Sequence, residues 1–157
     1  MIRRLLATDN DVTLTVLRLA LGVVFFAHGA QKVLGWFGGY GFSGTMGALT
    51  QMNIPAPLAF LAIAAEFLGG LGLVLGLLGR VAALGIVTNM IVAVVMVHRH
   101  YGFFMNWYGN QKGEGLEYFV LAIALGIAIL IEGSGAFSVD RALARPKDSA
   151  PRALRTA

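Results

Sequence analysis

Apolar residues run along this chain in four long stretches, and polar residues gather at their ends and, in a few places, inside them. The stretches cover about 12–34, 57–79, 81–98 and 116–133. A helix that crosses a bilayer needs roughly 17–25 mostly apolar residues, and the four runs lie in or close to that range. Strands are a poor reading, because membrane strands must close into a barrel and show an alternation these runs lack. The pattern predicts an all-α polytopic membrane protein, a four-transmembrane-helix bundle within residues 1–144. Two long loops, about 35–56 and 99–115, are expected on one side. Residues 145–157 form a basic tail without apolar period, the composition of a disordered segment.

Composition supports lipid as the solvent. Of 157 residues, 57% are hydrophobic and 13% charged, against about 25% charged in ordinary soluble domains. The absence of cysteine excludes a disulfide framework, a thiolate metal site and a CxxC relay within the chain. The net charge of +4 is not a nucleic-acid signal, since most basic residues sit at the ends of apolar runs. Four spans place Arg3, Arg4, Arg80, Arg141, Arg145, Lys147, Arg152 and Arg155 on one side and only Lys32, Arg99 and Lys112 on the other. The positive-inside rule then puts both termini in the cytoplasm. Arg3 and Arg4 before an apolar run resemble a signal peptide. The run starts late, is long and contains Arg18, so a retained helix is expected.

Inside lipid, helices associate by close packing, which small residues permit. Ala65, Gly69, Gly72, Gly76 and Gly79 recur at helical spacing and predict a contact stripe on the second helix. Gly85, Asn89 and Ala93 do the same on the third, and Ala122 and Gly126 on the fourth.

Ionisable groups at membrane depth cost about 2.5–3.5 kcal/mol each on insertion scales, so they should face the bundle interior or reach an interface. At 1.5 Å per residue, Arg18 lies roughly 9 Å above the inner end and Glu66 roughly 13 Å below the outer end. Steps of 100° put Arg18, Gly22, Phe25, Gly29 and Lys32 on one face, with His28 at its border. The outer half can therefore gather His28, Gln31, Lys32, Glu66, His98 and Glu117 under a loop carrying His100, Trp107 and Tyr108. Arg18, Asn89 and Glu132 form an inner set, in which Arg18 could pair with Glu66 or Glu132. Glu66 and His28 are the candidate catalytic residues. Arg18, Lys32, Asn89, His98, Glu117 and Trp107 are candidates for substrate binding. Most have a plainer reading: a locking ion pair for Arg18, a snorkelling ammonium for Lys32, a packing imidazole for His28, a solvent-reachable position for His98 and Glu117, an interfacial aromatic for Trp107. No metal site is expected, because His98 and His100 would point apart on a helix. No nucleotide loop, nucleophile motif or covalent cofactor signature is present.

The stretches "RLALGVVFFAHGAQKVLGWFGGYG", "AEFLGGLGLVLGLLGRVAALGIVTNMIVA" and "EGSGAFSVDRAL" resemble the DoxX family of small bacterial four-helix membrane proteins. The final Gly133, Gly135, Ser138 and Asp140 are similar to that family's closing G-x-G-x-x-S-x-D pattern. Its glycines can end a helix, and Asp140 can cap a following turn. The resemblance implies a place in the bacterial inner membrane and a link to quinone-dependent redox, detoxification or oxidative-stress systems. The expected function is a membrane subunit that binds a small apolar or quinone-like molecule in the outer half of the bundle. Electrons would come from a soluble or membrane redox partner. A small-solute carrier and a scaffold for soluble redox partners are the alternatives, and a homo-oligomer is compatible with either.

Overall fold

The computed structural model describes residues 5–144. The basic tail over 145–157 and the Arg3 and Arg4 start lie outside the described residues. The chain forms α1 (Val12–Leu34), α2 (Gly41–Gln51), α3 (Ala56–Leu75), α4 (Gly79–Met96), α5 (Glu117–Glu132) and α6 (Val139–Ala144). Short 3-10 turns occupy Trp36–Gly38 and His98–His100, and there is no strand among the described residues.

Local chemistry sets the ends. The Asp11 carboxylate accepts from the Thr13 and Leu14 amides and starts α1, satisfying donors the first turn leaves orphaned. Pro55 precedes α3, whose first turn carries a second proline, at the position where a missing N–H does no harm. Gly76 adopts φ 67° and stops α3, the left-handed closure that glycine alone makes without steric penalty.

α1, α3 and α4 are long and apolar enough to cross a membrane. α5, with 16 residues, spans roughly 24 Å, short of a hydrocarbon core of about 30 Å. The four long helices pack in a ring: α1 on α3, α3 on α4, α4 on α5, and α5 back on α1. Leu21, Phe25, Leu73, Ile86, Met90, Phe119 and Ile129 fill the centre. The outside is apolar as well, with Val16, Val23, Leu61, Leu68, Val95, Leu121 and Ile131 exposed. A continuous apolar exterior of this kind is what acyl chains cover.

The closest seam is α1 on α3, antiparallel. A Cβ on Gly29 would sit 2.4 Å from Phe67 Cα, and one on Gly70 would sit 2.4 Å from Phe26 N. Backbone touches backbone there, so Gly70→Ala is expected to lose about 1–3 kcal/mol in a detergent melt. Gly47→Ala on α2, where an added Cβ meets nothing within 4 Å, is expected to be neutral or slightly stabilising. Equal melts for the two variants would contradict this packing.

The structure departs from the sequence reading in three places. The segment over 35–56 is not a plain loop, since α2 packs across α1 and α3 with Thr45 buried and Phe42 edge-on to Phe60 at 6.3 Å. The second helix stops at Leu75 instead of 79, and the third runs over Gly79–Met96 instead of 81–98. The small-residue stripe divides accordingly. Ala65, Gly69 and Gly72 face Gly85, Ile86 and Ala82 of α4, whereas Gly76 and Gly79 lie against Ser138 and Ser134.

Candidate functional site

Two polar clusters occupy opposite ends of the bundle. The first lies toward the end bearing α2. The face of α1 that carries Gly29 also presents Lys32, and α3 presents Glu66 beside the Gly29 contact. The Lys32 ammonium pairs with Glu66 Oε2, and Asn89 Nδ2 on α4 donates to Glu66 Oε1 at 2.9 Å. Three helices thus close on one carboxylate, which is 5% exposed. The Lys32 side chain keeps 31% of its surface and is the accessible member. Both carboxylate oxygens are satisfied, the condition under which a charge tolerates a low-dielectric interior. From α5, the Tyr118 ring stacks on Phe25 at 6.4 Å.

The second cluster ties the end that holds Asp11 and α6. Arg18, 1% exposed, donates from Nη1 to the carbonyls of Leu73 and Val74, from Nε to Ser134 O at 2.8 Å and from Nη2 to Phe137 O at 3.4 Å. It caps the open carbonyls of α3. Asp140 does the opposite service, accepting from the amides of Leu78 at 2.7 Å and Gly79 at 2.9 Å and from Ser134 Oγ at 2.6 Å. One carboxylate therefore caps the start of α4, and one guanidinium caps the finish of α3. Further bonds from Thr15 Oγ1 to Ala136 O and from the Gly135 amide to Thr8 Oγ1 complete the clasp.

The predicted residues therefore separate. Lys32, Glu66 and Asn89 meet, so Asn89 belongs with the outer set and not with Arg18. Arg18 pairs with neither Glu66 nor Glu132. Its partners are backbone carbonyls, and Glu132 is exposed. His28 lies on the exposed flank of α1, 6.3 Å from the Tyr118 ring and outside the Glu66 contacts. His98 holds the loop, with Nδ1 2.8 Å from Glu114 O and its ring 4.3 Å from Phe119. Glu117 accepts from the Met105 amide at 3.1 Å, and Trp107 is 77% exposed. Asp140 caps α4 instead of a turn that follows it. Among the described residues, no group of three His, Asp or Glu side chains could hold a metal ion. Tyr118 and Ser134 escaped the sequence reading. Tyr118 sits next to Glu117 in an apolar run and carries no motif, whereas Ser134 lies inside the closing "GSG" and could have been marked.

These features define a polytopic helical membrane protein with a part-buried ion pair amid its spans and a hydrogen-bonded clasp at one end. Within that class the chain belongs to the DoxX family, whose family model matches residues 13–99, more than half of the chain. The match includes Arg18, His28, Lys32, Glu66, Asn89 and His98 and stops before Tyr118, Ser134 and Asp140. The chain is 29% identical over 135 residues to "Inner membrane protein YqjF" of Escherichia coli, covering 85% of this chain and 94% of that protein. It is 28% identical over 148 residues to "Uncharacterized membrane protein Rv3486" of Mycobacterium tuberculosis, covering 90% and 88%. It is 26% identical over 119 residues to "Putative oxidoreductase CatD" of Bacillus subtilis, covering 76% and 79%. No solved structure matches.

Proposed function

We propose that this chain is the membrane subunit of a quinone-linked redox or detoxification system and that the Lys32–Glu66–Asn89 cluster is where a small apolar or quinone-like molecule is recognised. The observation that carries the reading is Glu66, a carboxylate 5% exposed among apolar helices yet joined to a partly accessible ammonium. Intramembrane ionisable residues held at such a cost are functional by default. A relative named an oxidoreductase favours redox chemistry over transport. The residues suit the ligand: Lys32 offers a donor to a carbonyl oxygen, the half-buried Tyr118 offers aromatic surface, and Glu66 accepts and releases protons. Reducing a quinone to a quinol takes two electrons and two protons. The protons pass through Glu66 and Lys32, and the electrons come from a partner protein or a reduced small molecule. Lys32, with 31% of its side chain exposed, is the member of the cluster that a ligand meets first.

Binding of a short-chain ubiquinone to the full-length protein in nanodiscs, followed by Trp fluorescence quenching, tests the reading. Glu66→Gln and Lys32→Met are each expected to weaken binding at least about ten-fold, equivalent to 1.4 kcal/mol. His28→Ala, which lies off the cluster, should stay within about two-fold. Unchanged binding in both cluster variants overturns the site. Solute flux into proteoliposomes without any electron donor would replace redox work with carriage.

The protein sits in the bacterial cytoplasmic membrane with both termini inside, a reading supported by the basic residues on that side and by the inner-membrane relative. A C-terminal green fluorescent protein fusion should fluoresce, and an alkaline phosphatase fusion at the same point should be inactive. The reverse result inverts the topology.

A further inference from the structure

The clasp does more than tie helices. We infer that its outer surface, around Phe137 and Arg141, is a seat for an anionic phospholipid, with the phosphate on Arg141 and the acyl chains beside Phe137. Several observations converge there. Phe137 is 83% exposed, the ring standing clear of a protein whose core has room for other phenylalanines. Its backbone lies at φ 50°, a conformation that bulky L-residues adopt only when the surroundings impose it. Arg18 holds the Phe137 carbonyl, and the preceding Ala136 is fixed through its amide to Asp11 O at 2.8 Å and its carbonyl to Thr15 Oγ1 at 2.6 Å. The buried hydrogen bonds thus hold the ring outward against its own backbone preference.

Beside it, Phe137, Ser138, Arg141 and Ala142 line a concavity of about 270 Å³. That is below the range of drug-sized pockets and suits a headgroup. Ser138 Oγ accepts from the Arg141 amide at 3.2 Å and donates to Gly135 O at 2.8 Å, which sets the start of α6 and the position of Arg141. Among the described residues Arg141 makes no ion pair. Arg80, the other described arginine on the solvent side of this end, spends its guanidinium on the carbonyls of Leu130, Ile131 and Ala7. Phe137, which lines the same concavity, gives the cation an apolar neighbour. A soluble anion has no use for an exposed phenylalanine ring beside the cation, whereas a lipid matches both parts. Aromatic rings and arginines at a span's end are the groups that meet headgroups.

The test is native mass spectrometry of the full-length protein released from micelles with equal phosphatidylglycerol and phosphatidylcholine. The wild type should retain phosphatidylglycerol about five-fold over phosphatidylcholine, the factor expected of one basic residue near an anionic surface. Arg141→Gln should bring the ratio near one, and Phe137→Ala should reduce retention of both lipids. If Phe137→Ala fails to fold, Arg141→Gln decides alone. An unchanged ratio in Arg141→Gln overturns the assignment. So does a preference lost only on deleting residues 145–157, or glycerol phosphate competing as well as the intact lipid, which would mark a site for free phosphate.

Discussion

Replacing Lys32 by methionine is expected to destabilise the bundle by about 3 kcal/mol, while Glu66→Gln should lose only about 1 kcal/mol. The asymmetry follows from where each partner stands. Without Lys32, a carboxylate 5% exposed is left with one amide donor from Asn89 and no cation. Without the Glu66 charge, Lys32 still has 31% of its side chain in reach of the interface and can extend toward headgroups. The glutamine retains a carbonyl for Asn89. The double variant Lys32→Met with Glu66→Gln should recover most of the Lys32→Met loss, since neither charge remains to be buried. Unfolding in mixed micelles of the four proteins gives the coupling directly. Additive losses would mean that the pair is a surface contact of little weight. The cycle is also independent of the proposed chemistry: a strong coupling with unchanged quinone binding would leave the pair as a structural lock.

Arg18→Ala is the second large effect, expected to exceed about 3 kcal/mol. It strands the carbonyls of Val74, Ser134 and Phe137 and leaves Leu73 O with only the Gly76 amide, in a place where Arg18 is 1% exposed. Arg18→Lys should rescue little. One ammonium cannot reproduce a planar fork that reaches carbonyls on two sides. Hydrogen exchange provides the check: the amides of Leu77, Leu78 and Gly79, held by Gly72 O and the Asp140 carboxylate, should exchange faster in both variants. Protection retained in Arg18→Ala would show that Asp140 and Ser134 hold the clasp alone.

The four apolar runs were legible because lipid imposes a length and a polarity that few other environments do. The meeting of Lys32 with Glu66 was partly legible, since depth and angular position put both in the same half of the bundle. Arg18 was misread for a physical reason. Two of its targets are carbonyls at the end of α3, which stops at Gly76 although the apolar run continues to 79 without a polar signal, and the other two lie in the segment before α6, far away in sequence. The helix Gly41–Gln51 was hidden by its three glycines, each costing roughly 1 kcal/mol against alanine in a helix. Packing on α1 and α3 outweighs that propensity, and packing partners are not visible in the local sequence. His28 sits at the border of the polar face of α1, where an angular estimate cannot decide between interior and flank. It lies on the flank.

The close contact of α1 with α3 also orders how the protein is made. Thirty-four residues separate Lys32 from Glu66 along the chain, and the lysine is synthesised first. When nascent α3 emerges, an ammonium on α1 is already waiting, and the glycine seam lets the two segments zip as an antiparallel pair. Glu66 therefore need not cross the bilayer core unaccompanied, and the later segments are added to a unit whose charges are already matched.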